Sequence, residues 1–179
     1  MMSDDRKGSW FVTRNGKRFF PLDTRVEDIC IFDIAHALSM ICRFGGHSRR
    51  FYSVAEHSVL VSEVVPPEDA LCGLLHDATE AYIGDMVRPL KQELPSYVKL
   101  ENKLWPLIAE KFQIDPVMPP SVKHADNSVL LAEKAALVVD TGHAWPFTEA
   151  PAKVQIIGYS PPDAYANFLR RFYYLTEER

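Results

Sequence analysis

No segment of this sequence approaches 18 uninterrupted apolar residues, so nothing in it predicts a membrane-spanning helix. The opening residues, MMSDDRKGSW, lack the apolar core of a secretion signal, and the expected location is cytoplasmic. Cysteine is scarce and odd in number: Cys30, Cys42 and Cys72 have no CxxC spacing, which excludes a disulfide framework or a cysteine-based zinc knot. There is no excess of positive charge. Net charge is -4 and the sequence pI is about 5.9, so neither a nucleic-acid polymer nor an anionic membrane is an expected partner. Internal repeats, low-complexity tracts and linkers are also missing.

What remains is a folded chain of 179 residues, 47% hydrophobic and 25% charged, the size of one domain. Residues 1–25 predict a short β-hairpin extension, because apolar runs flank Asn15-Gly16, a pair suited to a type I′ turn. Residues 33–140 read as helix. Asp33 is the expected cap of IAHALSMICRF, which stops at Gly45-Gly46. Ser53-Val-Ala-Glu56 has the form of a capping box opening SVAEHSVLVSEVV. Pro66-Pro67 starts the next helix, Gly84 ends it, and further helices follow around LENKLWPLIAEKF and VKHADNSVLLAEKAAL. Residues 141–179 comprise a long loop to Tyr159, readable as a lid, a dimer contact or a plain connection, and a last helix begun by Ser160.

The chemistry concentrates in GLLHDATEAYIGD, residues 73–85. On a helical wheel Leu71, Leu74, Leu75, Ala78 and Tyr82 share one side, and His76, Asp77 and Glu80 the other. Alone, that pattern fits a solvated face. The all-apolar run ALCGLL before it predicts burial on every side, and Gly73 would permit close approach by another helix or a ligand, so a polar crevice is the alternative. Asp126 projects into an apolar stripe of Val122, Ala125, Val129, Ala136 and Leu137, beside Glu133. A buried carboxylate needs a partner: a cation, or a salt bridge to Arg43 or Lys123. His57 follows Glu56 in the first turn of its helix. His57, His76, Asp77 and Asp126 together offer two imidazoles and two carboxylates. That donor set suits one divalent ion of the Mn, Co, Fe, Zn, Ni or Mg kind, with coordination positions left open.

The order H…HD…D, in VAEHS, HDATEAYIGDMVRPLK and VKHADNSVLLAEKAAL, resembles the HD-domain metal-dependent phosphohydrolases over about residues 36 to 138. The nearest likeness is to the bacterial 5′-deoxyribonucleotidase branch. The resemblance implies an all-α HD-domain helical bundle as the core; with the hairpin and the last helix, the length of the chain makes residues 1–179 one expected domain. It implies a metal held by His57, His76, Asp77 and Asp126. Glu80 would handle protons of the attacking water, and Asp85 would position water or substrate, although Asp85 also reads as a simple cap after Gly84. Arg43 would bind phosphate, with Phe44 and Lys91 beside the substrate. In that branch an Arg-Trp pair reads the sugar, whereas here Phe44 follows Arg43 and the loop carries the extra His47, Arg49 and Arg50.

The implied function is hydrolysis of nucleoside 5′-monophosphates by attack of a metal-activated water on phosphorus, in a cytoplasmic homodimer. The alternatives are a triphosphohydrolase releasing triphosphate from a dNTP, a nucleotide-sensing module without turnover, and oxygen activation at two irons. The last would need further ligands from His36, His47 or His124.

Overall fold

The computed structural model describes residues 5–177; residues 1–4 and 178–179, the ends of the expected single domain, lie outside the described residues. The fold is mainly helical behind one two-stranded hairpin, in agreement with the sequence. Strands β1 (Phe11–Val12) and β2 (Arg18–Phe19) run antiparallel, with Phe11 opposite Phe19 and Val12 opposite Arg18. The turn differs from the type I′ expectation. Gly16 N–H donates to Thr13 O at 2.9 Å, Thr13 N–H donates to Lys17 O at 2.8 Å, and of the turn residues only Gly16 has positive φ. This is a three-residue loop closed by a glycine bulge, which relieves Asn15 of the left-handed conformation.

Helices α1 (Ile31–Met40), α2 (Val54–Val64), α3 (Ala70–Leu75), α4 (Glu80–Ile83), α5 (Arg88–Glu93), α6 (Pro95–Phe112), α7 (Pro120–Leu137) and α8 (Pro161–Glu177) follow. None is long and apolar enough to cross a membrane. Helix α1 ends at Met40, before the expected glycines, and the chain re-forms a 3-10 turn over Arg43–Gly46. Asp33 does not cap it. Its carboxylate lies inside the first turn and accepts from Asn15 N–H at 2.9 Å, fastening the hairpin to α1.

Helix α2 is the central element, with α1, α3, α7 and α8 packed around it. Of its eleven residues, eight are buried, including Glu56, His57, Ser58 and Ser62. A helix buried all round must pair its polar groups internally, and this one does so at both ends. Ser53 Oγ accepts from Glu56 N–H at 3.1 Å, the expected N-cap. Ser62 Oγ donates to Ala70 O at 2.8 Å and receives Arg171 Nε at 3.0 Å. Gly73 of α3 faces α2, where an added Cβ would meet Ser62 Cα at 3.2 Å, so of the two close approaches it could permit, that of a helix is the one present.

Leu71, Leu74, Leu75, Ala78 and Tyr82 join Phe19, Ile34, Leu38, Ile108 and Phe168 in the main core. Burying each large aliphatic side chain contributes about 1.5–3 kcal/mol. Tyr82 stacks on Phe19 at 4.2 Å, and its hydroxyl accepts from Cys30 N–H at 3.1 Å, so the hairpin fixes the helix that carries Glu80. Val122, Ala125 and Val129 of α7 form a second cluster with Val61, Val65 and Ala70. Ala136 departs from the predicted stripe and is exposed, its place taken by buried Glu133. The three cysteines are free thiols.

Candidate metal centre

The helix expected to run from Pro66-Pro67 to Gly84 is interrupted at its polar residues. After α3, Ala78 N–H donates to Leu75 O and Glu80 N–H to Asp77 O, both three residues back, before α4 begins. This tight turn presents His76 and Asp77 together. His76 Nδ1 donates to Gly73 O at 2.8 Å, which fixes the tautomer and turns Nε2 inward.

His57, fully buried in α2, is held in the same way. Its Nδ1 donates to Glu133 Oε1 at 2.6 Å, and its Nε2 forms no hydrogen bond. That nitrogen stands 3.3 Å from Asp126 Oδ1 and 3.6 Å from Asp77 Oδ2. His76 Nε2, likewise without a hydrogen bond, lies 3.2 Å from Asp77 Oδ2. His57, His76 and Asp126 each offer one donor atom, all within 4.8 Å of one another.

Two buried imidazole nitrogens with no hydrogen-bond partner, facing carboxylates, are what a divalent ion would satisfy, and the donor set fits one. The buried group of His57, His76 and Asp126 could therefore hold a metal ion. Asp77 adjoins both imidazoles. Lys123 does pair with Asp126, at 2.6 Å, but on the outer oxygen Oδ2, and the lysine is mostly exposed. An exposed pair of that kind contributes little and leaves Oδ1 facing inward.

The electrostatics are those of a charged nest out of water. Burial and Arg43 disfavour charge on His57, but Glu133 and Asp126 outweigh them and raise its pKa to about 9. Burial works against the Asp77 carboxylate, yet His76 and His57 hold it well below the usual range. Asp126 is lowered for the same reasons, against its burial and chiefly by His57. Glu80 goes the other way: burial, then Asp77 and Asp85, push it well above its ordinary value, and its Oε2 has no hydrogen-bond partner. Asp85 is also raised, mainly by burial. Two carboxylates whose pKa values are lowered beside one whose pKa is raised is a division of labour seen at acid/base sites.

Arg43 reaches this nest but is committed elsewhere. Its Nε donates to Glu133 Oε2 at 3.2 Å, Nη2 pairs with the same oxygen at 3.1 Å, and Nη1 lies 3.6 Å from Asp77. Phe44 flanks it, with the guanidinium 5.6 Å from the ring centre. Lys91 is drawn toward α6, where Glu101 accepts from it at 2.6 Å, while its charge still acts on Glu80 and Asp85. Arg50 donates to Ile156 O at 2.9 Å and is a structural tie. His36 packs edge-on against Tyr165, and none of His36, His47 and His124 joins the metal-type group.

Glu133 and Tyr52 complete the arrangement and were not singled out from the sequence as site residues. Glu133 is wholly buried and accepts from His57, from Arg43 and from the Tyr52 hydroxyl at 2.7 Å. The signal was present: position 133 falls on the same helical stripe as Val122, Val129 and Asp126, so a second carboxylate pointed inward. Tyr52 had none, being the residue before an N-cap. Glu56 was read as half of a capping box. Its carboxylate instead accepts from the backbone N–H groups of Ile157, Gly158 and Tyr159 at 2.8–3.1 Å.

The chain is thus a mainly helical protein with a histidine–carboxylate cluster that could hold a metal ion. No protein-family profile matches the chain. It is 45% identical over 174 residues to the uncharacterized protein YfdR of Escherichia coli strain K12, spanning 96% of this chain and 98% of that one. It is 33% identical over 166 residues to an uncharacterized protein of Rhodobacter capsulatus, RCAP_rcc00048, spanning 87% of this chain and 83% of that one. The chain belongs to the YfdR family.

Proposed function

We propose that this protein is an HD-domain metal-dependent phosphohydrolase acting on nucleotides, with nucleoside 5′-monophosphates as its main substrates. The observation that carries the reading is the convergence of two orphaned imidazole nitrogens, His57 Nε2 and His76 Nε2, on the carboxylates of Asp77 and Asp126, with buried Glu80 beside them.

His57, His76, Asp77 and Asp126 would hold one divalent ion, which supplies Lewis acidity toward a phosphoryl oxygen and toward water. The chain's own residues do the rest. Glu80 Oε2 exchanges a proton with the attacking water or with the departing 5′ oxygen, a role that its pKa, pushed up by burial and by Asp77 and Asp85, favours. Arg43, pinned through Nε and Nη2, turns Nη1 toward the Asp77 side, where it can donate to a phosphoryl oxygen. Asp85 adds negative charge that supports the proton on Glu80. Water adds to phosphorus, the bond to the nucleoside oxygen breaks, and that oxygen leaves with a proton as the free hydroxyl.

The test is to incubate the protein, reconstituted with each candidate divalent metal, with a panel of nucleoside mono- and triphosphates and to identify the phosphate released. Orthophosphate from monophosphates, lost on chelation and restored by metal, is the expected result. Triphosphate from a dNTP would replace this reading with the triphosphohydrolase. No hydrolysis across the panel would refute both.

A further inference from the structure

Three side chains stand in sequence outward from the metal centre. Arg43 Nη1 is 3.6 Å from Asp77, its guanidinium is 5.6 Å from the Phe44 ring centre, and that ring is 6.3 Å from the ring of Trp145. Phe44 holds this place in a left-handed conformation, φ 58°, which bulky residues rarely adopt.

Trp145 belongs to a strap fastened along α7 at three points. Lys134 Nζ donates to His143 O at 2.9 Å, Asn127 Nδ2 donates to Glu149 Oε1 at 2.7 Å, and Ala152 N–H donates to Ser128 O at 2.9 Å. Two of the anchors, Asn127 and Ser128, directly follow Asp126. Between the anchors the strap turns Trp145 toward Phe44, and Phe147 toward Arg88, whose guanidinium is 4.8 Å from its ring centre. Neither Trp145 nor Phe147 takes part in the hydrophobic core, so these rings do not serve to fill the interior. Trp145 forms a partly exposed aromatic surface beside Phe44, whose own ring adjoins the arginine that would hold the phosphate.

We propose that Trp145, with Phe44 at its edge, is the subsite for the nucleobase: the flat base of the substrate stacks on the indole while its phosphate lies at Arg43 and the metal centre. This rests on the nucleotide reading above and adds to it the part of the substrate that the metal centre does not touch. Base–aromatic stacking discriminates by π-face rather than by hydrogen-bond pattern, so the subsite favours nucleotides over sugar phosphates and tolerates different bases.

The experiment compares equilibrium binding of adenosine 5′-monophosphate and ribose 5-phosphate to the metal-reconstituted full-length protein by calorimetry. Tryptophan emission and phosphate release are followed in parallel. The wild type is expected to bind the nucleotide about tenfold or more tighter than the sugar phosphate, with quenched emission. W145A should bring that ratio down toward one, and W145F should retain most of it. A ratio that W145A leaves unchanged, with metal content and circular dichroism as in the wild type, overturns the subsite. Selective nucleotide binding lost in W145A but without phosphate release in the wild type supports the subsite and refutes the hydrolase reading. Equal hydrolysis of both compounds does the opposite.

Discussion

Glu133 accepts a 2.6 Å hydrogen bond from His57 Nδ1, and the two residues, 76 positions apart, are both completely buried. This contact fixes which nitrogen of His57 faces Asp77 and Asp126. A carboxylate behind a ligating histidine is a recurrent way of orienting the ring and raising its basicity. Here the same carboxylate neutralises Arg43, so one side chain organises both the candidate ligand and the candidate phosphate anchor.

Replacing Glu133 separates these duties. E133Q keeps an acceptor for His57 but removes the charge, and metal affinity is expected to fall about 10–100-fold, measured by metal titration. E133A leaves the Arg43 guanidinium without its main partner, and denaturant unfolding should show a loss of about 3–5 kcal/mol. Unaltered metal affinity in a folded E133Q would argue against the orienting role.

Metal binding should depend steeply on pH. The raised pKa of His57, about 9, means that the free site carries a proton at neutral pH which an ion must displace. Apparent affinity is expected to rise about tenfold per pH unit from neutrality and to level off near the His57 pKa. The same proton stabilises the metal-free chain below the ordinary imidazole pKa, and that contribution is lost as pH rises through about 9. Calorimetry in buffers of differing ionisation enthalpy measures the proton released. No release at neutral pH contradicts the assignment.

The sequence was most legible where burial and periodicity agree. Leu71, Leu74, Leu75, Ala78 and Tyr82 are core, Gly73 is a helix-contact glycine, and His76 and Asp77 face a crevice rather than solvent. It was less legible where a local motif competes with a distant partner. Ser53 and Glu56 satisfy the local pattern for a capping box, but Glu56 is taken by backbone donors 101–103 residues away. Asp33 looked like a cap and serves the hairpin instead. The break of the helix at His76 is set by three-residue backbone bonds that no side-chain pattern announces.

Glu80→Gln retains the shape of the side chain and removes its proton exchange. Turnover is expected to fall about 10²–10⁴-fold while metal content stays at the wild-type level, measured together on one preparation. A wild-type rate in E80Q would exclude Glu80 from the chemistry.

Gly158 ties the far end of the long loop to Glu56, next to His57. Its φ is 75°, and an added Cβ would come within 2.8 Å of Arg50 Nε and 3.0 Å of Phe51 O. Gly158→Ala is therefore expected to cost about 1–3 kcal/mol in urea unfolding. A neutral substitution would mean that the loop can move off Glu56 freely.

The central claim is that His57, His76, Asp77 and Asp126 hold one divalent ion. The direct measurement is metal stoichiometry by elemental analysis after saturation and desalting, in the wild type and in D126N. The variant removes one inward-facing charge from a mostly buried position on α7 while keeping the size of the side chain. One ion per chain in the wild type, and about a tenth of that or less in a folded D126N, is the predicted result. Equal occupancy in both proteins, or no ion retained by the wild type with any of the candidate metals, would contradict it.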